Sequence, residues 1–375
     1  MTRLTIILLL VVALGYYLSF LWKVLRGLKP GAELNNKTTP MVSVVIAARN
    51  EETTIRQCID SLTMQSYDLT KFEIIVVDDH SEDQTLALAN ETASEVGRPQ
   101  ITVLTCQGTS GQFGKPAAIA LGVERAQGEV ILCTDADCIV PKHWITSTMK
   151  CFEQSVAFVA GPVQENSTGS FLSKIQTLEF LGLMTTGAGL IGSGSPIICN
   201  GANIAFRKSA FIEVNGYGEH KSSCDDETLM QRIVRRNVGK VVFNFDPVAL
   251  VTTSTPGTLF GFWKQRTRWA AKRGHYEDKF ILARLIALYG FFLIVFLAPI
   301  AALLDSIIFV PLFIVLAAKL LAEMTVLTSG ARMFQQQVSI RHFLIAELLH
   351  VPYIVVAALV GQFSALRWKN RTLGQ

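Results

Sequence analysis

Two acidic motifs have the residue types and spacing to do chemistry. The apolar run Val130-Ile131-Leu132-Cys133 ends in Thr134-Asp135-Ala136-Asp137, and Phe72–Val77 ends in Asp78-Asp79. A short apolar run with Gly128-Glu129 before it and carboxylates after it reads as a buried strand with acids at its carboxyl end. In an open α/β sheet, ligands bind in the crevice beyond those ends, so two acidic strand ends can share one crevice. On extended chain, Asp135 and Asp137 at i and i+2 point to the same side. Two converging carboxylates repel unless positive charge lies between them. A divalent cation, Mg or Mn, carrying a diphosphate would meet that need, since magnesium is commonly held by one or two carboxylates plus substrate phosphates. The same acids would also serve to cap a turn and open a helix at Pro141, and the spacing leaves both readings open. Asp78 and Asp79 can accept a nucleobase N–H or a ribose hydroxyl, while Lys115 can meet a base oxygen or a phosphate. Helix capping by Asp79 and Ser81 is the alternative there.

The elements that must position these groups follow from the surrounding pattern. After a polar linker, strands are expected at Val42–Ala47, Phe72–Val77, Ile101–Leu104 and Val130–Cys133. Between them, Asn50-Glu51-Glu52 opens a helix with Ile55, Cys58, Ile59 and Leu62 on its apolar face, and a second helix starts near Gln84. Gly114-Lys115-Pro116 starts a third, with proline in its first turn. Alternating strands and helices predict an α/β fold with a doubly wound, mostly parallel sheet. A phosphate-binding G-x-x-x-x-G-K loop is absent, which argues against a P-loop ATPase.

Half of the 375 residues are apolar and only 17% are charged, which predicts membrane segments beside a globular middle. Leu4–Phe20 carries no charge, and Ile281–Phe363 holds most of the remaining apolar mass. No small-x-small cleavage site closes the first run, so it reads as an uncleaved anchor. Lys23, Arg26 and Lys29 outweigh Arg3, which places the middle of the chain in the cytoplasm of a cell whose inner membrane holds the anchor. The net charge of +4 gathers beside the apolar runs and forms no groove for nucleic acid. All seven cysteines lie between Cys58 and Cys224, without a C-x-x-C pair, and are read as packing residues.

In order along the chain, Val42-Ser43-Val44-Val45-Ile46 with Arg49-Asn50-Glu51, Asp78-Asp79-x-Ser81-x-Asp83, Lys115, and Thr134-Asp135-Ala136-Asp137 resemble the family 2 inverting glycosyltransferases. Asn200–Arg207, Asn215-Gly216-Tyr217, Asp225-Asp226 and Gln265-x-x-Arg268-Trp269 continue the resemblance, which covers roughly Pro40 to Gly274. His80 stands where such sequences more often carry Gly or Asn, and Asp225 where many carry Glu. The resemblance implies a GT-A fold, a nucleotide-sugar donor, expected to be UDP-linked, and a divalent metal. By the same resemblance Asp79 contacts the base with Asp78 and Lys115 beside it, Asp135 faces the ribose or sugar, Asp137 ligates the metal and Asp226 is the general base. Asn200–Arg207 reads either as a lining of the acceptor face or as ordinary core and turn.

Gln265, Arg268 and Trp269 fall on one face of a helix that Thr255 caps and Pro256 begins. Arg268 can pair with a diphosphate and Trp269 can offer an apolar plate to a sugar ring. Lys264, Arg266, Lys272 and Arg273, with Phe260, Phe262 and Trp263, suit a helix lying on an anionic leaflet. Three C-terminal spans are expected, near Ile281–Ala301, Ser306–Leu321 and Phe343–Phe363, with Asp305 at the outer turn. That count puts the basic tail of Arg367, Lys369 and Arg371 outside, so either the charge rule fails there or the last segment, with Glu347, His350 and Pro352, does not simply span. The expected organisation is therefore an anchor (1–28), a linker (29–40), a cytoplasmic catalytic domain (41–255), an interfacial helix (256–279) and a membrane region (280–375). Transfer to a lipid or lipid-linked acceptor is favoured over polysaccharide synthesis, because few spans are available to form a channel. A non-catalytic nucleotide-sugar-binding protein is the remaining alternative.

Overall fold

The structure is a computed structural model that describes residues 3–29, 36–106, 114–218, 225–270, 278–363, 367–368 and 371–372. The chain begins with α1 (Arg3–Gly27) and continues through β1 (Val42–Ala48), α2 (Ile55–Thr63), β2 (Phe72–Asp78), α3 (Thr85–Ala93) and β3 (Gln100–Thr105). Then come α4 (Lys115–Arg125), β4 (Val130–Asp135), α5 (Trp144–Lys150), β5 (Val156–Ala160), β6 (Val163–Asn166) and α6 (Phe171–Gly192). β7 (Ile204–Arg207), α7 (Lys208–Glu213), α8 (Asp225–Arg235), β8 (Lys240–Phe243), β9 (Val251–Ser254) and α9 (Leu259–Ala270) follow. The last helices are α10 (Lys279–Leu304), α11 (Phe309–Met333) and α12 (Ile340–Phe363), before a short hairpin of β10 (Arg367–Trp368) and β11 (Arg371–Thr372).

Two compact units result, one comprising 29–166, 194–255 and 365–375, the other 1–28, 167–193 and 256–364. The first is built on a seven-stranded sheet in the order β3-β2-β1-β4-β7-β5-β8. β3, β2, β1 and β4 are parallel, as the alternating pattern predicts. β7 runs antiparallel to both neighbours, and β8 is parallel to β5. β1 and β2 are buried along their whole length, the mark of strands covered on both faces, and are apolar but for Ser43 and Glu73, whose buried side chains bond each other, and Asp78 at the end of β2. Cys58, Cys106, Cys138 and Cys151 are buried packing residues.

Three helix starts differ from expectation. Asn50 takes a left-handed backbone (φ 52°), so α2 begins at Ile55 and the 50–54 stretch serves as a loop. Pro141 lies in a turn, and α5 begins at Trp144. Gly257 is also left-handed (φ 72°), which separates Pro256 from the helix; α9 begins at Leu259, and the Thr258 hydroxyl, in place of Thr255, accepts the Gly261 N–H at 3.0 Å.

The second unit is helical. α1, α10, the stretch Ser306–Met333 and Ile340–Gln362 are long and apolar enough to cross a membrane. The second C-terminal segment extends past the expected Leu321 to Met333 because its polar residues are satisfied internally. Lys319 Nζ lies 2.8 Å from Glu323 and 2.6 Å from Glu347, with His350 Nδ1 3.3 Å from Glu323 and the Tyr17 hydroxyl donating to Glu323. Arg3 pairs with Asp305, so the first turn of α1 and the α10–α11 turn share one end of this unit. α6, long and apolar, comes from between two strands of the sheet yet packs with α1, α11 and α12. Its Gly189 meets Gly27 so closely that a β-carbon on Gly27 would lie 1.8 Å from the Gly189 carbonyl oxygen.

Candidate active site

Register places both acidic strand ends level with the end of the strand between them. Ala47 pairs with Asp135, and Ala48 with Asp78. The loops leaving β1 and β2 are laced to one another. Buried Arg49 donates from Nη1 to the carbonyls of Asp79 (2.7 Å) and His80 (3.0 Å) and pairs through Nη2 with Glu82 (3.1 Å). The Asn50 N–H donates to the Ser81 hydroxyl, the Glu82 N–H to the Asn50 side chain, and the Glu51 N–H to the Thr85 hydroxyl. The N-cap position of α3 is Gln84, not Asp79 or Ser81, and just ahead of it Asp83 accepts the Thr85 N–H at 3.0 Å. Burial raises the affinity of Asp83 for its proton, but the Thr85 hydroxyl and the N–H groups of Thr85 and Glu52 outweigh it and hold the carboxyl below its ordinary range.

Asp79 is fully buried, with Oδ2 accepting the Gly114 N–H at 3.1 Å and Oδ1 3.1 Å from His80 Nδ1. Asp78 accepts the Ser81 N–H through Oδ2, while its buried Oδ1 has no hydrogen-bond partner. A buried acceptor without a donor is costly, and an incoming nucleobase N–H would satisfy it.

Lys115, at the start of α4, contacts Asp135 Oδ1 at 2.5 Å. Gly201 packs against the same ammonium: a β-carbon there would lie 2.9 Å from Lys115 Nζ and 3.3 Å from Asp226 Oδ2. Lys115 and Asp226 thereby meet at one glycine, and Asp135 joins them through its contact with Lys115. Asp226 lies in the first turn of α8, where the helix N-terminus favours an ionised carboxylate. Cys224 and the Asp225 side chain lie outside the described residues. Of the stretch offered as an acceptor lining, Asn203 is core: it accepts the Trp144 indole N–H at 2.8 Å and donates to the carbonyls of Pro162 and Ala249.

Asp137 converges with Asp135 by a different route from the extended chain expected. β4 ends at Asp135, and a turn closed by the Cys138 N–H on the Asp135 carbonyl (3.1 Å) brings ligand atoms of Asp135, Asp137 and Cys138 within 4.8 Å of one another. Burial, then the charges of Asp137 and Asp135, push the Cys138 thiol well up from its ordinary value, and sulfur is a softer donor than Mg or Mn prefers. The oxygens that remain are the hard donors Mg or Mn prefers, and with Lys115 already beside Asp135, Asp137 is the carboxylate that fits a metal.

Gln265, Arg268 and Trp269 lie on α9, in the helical unit, at the expected one-face spacing and partly exposed. Arg266, expected on the membrane surface, is only 4% exposed. It pairs with Glu179 of α6 through Nε (2.9 Å) and Nη2, donates from Nη1 to Gln265 Oε1 (2.6 Å), and lies over the rings of Phe262 (4.7 Å) and Trp269 (4.3 Å). Its guanidinium thus serves a polar contact inside the unit. Lys272 and Arg273 lie outside the described residues.

The model of glycosyl transferase family 2 matches residues 43–214, and that of glycosyl transferase family group 2 matches residues 130–327, more than half of the chain. The chain belongs to glycosyl transferase family group 2. Among curated proteins, the chain is 30% identical over 251 residues to the probable glycosyltransferase YdaM of Bacillus subtilis, an alignment covering 66% of this chain and 58% of that one. It is 26% identical over 265 residues to the poly-beta-1,6-N-acetyl-D-glucosamine synthase of Staphylococcus aureus, covering 69% and 60%. The chain therefore spans about 60% of the length of these relatives. In fold it matches the solved mannosyltransferase of Pyrobaculum calidifontis in complex with GDP-Man and Mn2+, with a TM-score of 0.59, 19% identity, and coverage of 96% and 98%.

Within this family member, the sheet unit gathers Asp78, Asp79, Lys115, Asp135, Asp137 and Asp226 near the carboxyl ends of β1, β2 and β4, and the helical unit holds the Gln265, Arg268 and Trp269 face. Sequence reasoning missed the lacing role of Arg49 and the close approach at Gly201. The Asn200-Gly201 turn carried a signal, since glycine at a tight turn marks a close approach.

Proposed function

We propose that the chain is a membrane-bound inverting glycosyltransferase that moves a sugar from a nucleotide-sugar donor, expected to be UDP-linked, to a lipid or lipid-linked acceptor. The observation that carries this reading is the approach of Lys115 and Asp226 to Gly201, with Asp135 bonded to the same Lys115 ammonium. A cation, a sugar-facing carboxylate and a carboxylate at a helix N-terminus supply the groups an inverting transfer needs in one place. Asp78 and Asp79 hold the base, Lys115 neutralises Asp135, and Asp135 orients the ribose or sugar. Asp226, ionised at the start of α8, accepts the proton of the attacking hydroxyl from the face opposite the leaving group. Asp137 would hold a divalent ion, which would offset the charge that builds on the leaving diphosphate. By resemblance, Gln265, Arg268 and Trp269 contribute to the same reaction. The Mn2+ and GDP-Man of the Pyrobaculum relative support a metal and a nucleotide sugar. Lys23, Arg26 and Lys29 at the end of α1 support a cytoplasmic catalytic unit at the inner membrane.

The likeness to a poly-beta-1,6-N-acetyl-D-glucosamine synthase favours a second reading, a processive polysaccharide synthase. Product length separates the two. Purified protein in lipid nanodiscs with radiolabelled UDP- and GDP-sugars and a lipid extract should yield a single glycolipid, and a ladder of lengthening products would establish the synthase.

A further inference from the structure

The Gln265 side chain has a polarity that the motif alone does not specify. A carboxamide has a donor end and an acceptor end, and its surroundings decide which end faces a ligand. Arg266 has only donors to offer, so the Gln265 atom 2.6 Å from its Nη1 is the oxygen. The guanidinium that imposes this is immobile. It is buried, tied twice to Glu179, and lies over the two rings Phe262 and Trp269, contacts that suit a planar delocalised cation.

We propose that Arg266 is a positioning residue: anchored on Glu179, it takes the Gln265 oxygen and turns the Gln265 amide N–H2 outward, as a hydrogen-bond donor to a phosphate oxygen of the substrate, while covering one face of Trp269. The inference rests on the role proposed above for the Gln265, Arg268 and Trp269 face. It adds the direction of that hydrogen bond and the residue that sets it. A lysine at 266 could not do the same, because one ammonium cannot bond both carboxylate and amide while lying across the indole.

The test is a mutant cycle on the full chain in nanodiscs, with transfer measured on whichever UDP- or GDP-sugar the unaltered protein uses. Gln265→Ala should lower kcat/KM by about tenfold or more, the usual loss for a hydrogen bond to a charged group. Because Arg266→Met alone would strand the half-buried Glu179 carboxylate, it is paired with Glu179→Leu, which removes both charges together. That pair should lose nearly as much as Gln265→Ala, and adding it to Gln265→Ala should cost no more than about twofold further, the sign that it acts through Gln265. Arg266→Lys should show the same loss if the charge-free pair does not purify as a monodisperse species. Gln265→Glu keeps the shape and the Arg266 contact but presents oxygen in place of N–H, so it should be at least as impaired as Gln265→Ala. Weaker binding of free UDP or GDP by Gln265→Ala would assign the phosphate to the donor, and unchanged nucleotide binding with a raised acceptor KM would assign it to a lipid phosphate; either supports the donation. Additive losses across the cycle, or Gln265→Glu at the unaltered rate, would overturn the positioning role while leaving the proposed function standing. Full transfer by Gln265→Ala would remove the motif reading itself, and the positioning role with it.

Discussion

Substituting Gly201 by alanine tests whether Lys115, Asp135 and Asp226 act as one site. The added β-carbon would sit 2.9 Å from Lys115 Nζ and 3.3 Å from Asp226 Oδ2, and reaching an ordinary 3.4 Å contact requires the ammonium to retreat by about 0.5 Å. Gly201 is not among the residues with a left-handed backbone, so the alanine brings no backbone strain and the fold should hold. The retreat stretches the 2.5 Å contact between Lys115 and Asp135 and crowds Asp226. A displacement of 1 Å in a reacting geometry can cost about a hundredfold, so half of that should cost about tenfold in kcat. Gly201→Val, with a bulkier side chain, should cost more. The assay is release of nucleoside diphosphate from the preferred sugar donor, read beside the thermal midpoint of the detergent-solubilised protein. An alanine variant with an unchanged midpoint and an unchanged rate would refute the idea that these groups meet at Gly201.

Asp226→Asn should retain donor binding and lose at least about a hundredfold in transfer, whereas Asp225→Asn should mainly lower the thermal midpoint; the reverse pattern in paired assays would move the base by one residue. Asp137→Ala should abolish turnover without unfolding the protein, and a chelator should do the same to the unaltered chain, with recovery on adding Mg or Mn; full turnover in excess chelator would exclude the metal role. Burial, with Asp79 and Asp78 nearby, pushes the Cys106 thiol up to about 11 from an ordinary value near 9. The folded chain then keeps a proton that the unfolded chain releases, so this contribution to stability is complete below about pH 9 and is lost as pH rises toward 11. Cys106→Ala should flatten the fall in thermal midpoint across that window.

The parallel half of the sheet was legible because buried strands carry mostly apolar runs bounded by polar loops. Val42–Ala48, Phe72–Asp78 and Val130–Asp135 differ from expectation by no more than two residues at either end. The order of strands was not legible, since β7 enters the sheet antiparallel between β4 and β5 through contacts distant in sequence. Helix starts were misjudged at Asn50 and Pro256 because a left-handed residue, Asn50 itself or Gly257 after the proline, interrupts an otherwise plausible cap. α6 escaped notice because its apolar residues suit a buried core helix as well as a helix that packs with membrane segments. Arg266 was assigned to the surface on charge alone; its partner Glu179 lies far away in sequence, and no periodicity links them. The acids of the site, by contrast, sit at strand ends that fold topology alone brings level.

The cluster of Lys319, Glu323, Glu347 and His350 bears on how the protein is made. One charged side chain at the centre of a nascent membrane helix costs about 2.5–3.5 kcal/mol to insert. On α11, Lys319 and Glu323 lie one turn apart and meet at 2.8 Å, so that helix carries its own counter-charge when it leaves the translocon. On α12, Glu347 finds its cation at Lys319, 2.6 Å away on the preceding helix. The two segments are therefore suited to enter the bilayer as a hairpin, α12 drawn in by a charge already there. A chain that ends after α11 would leave Lys319 with one of its two carboxylates.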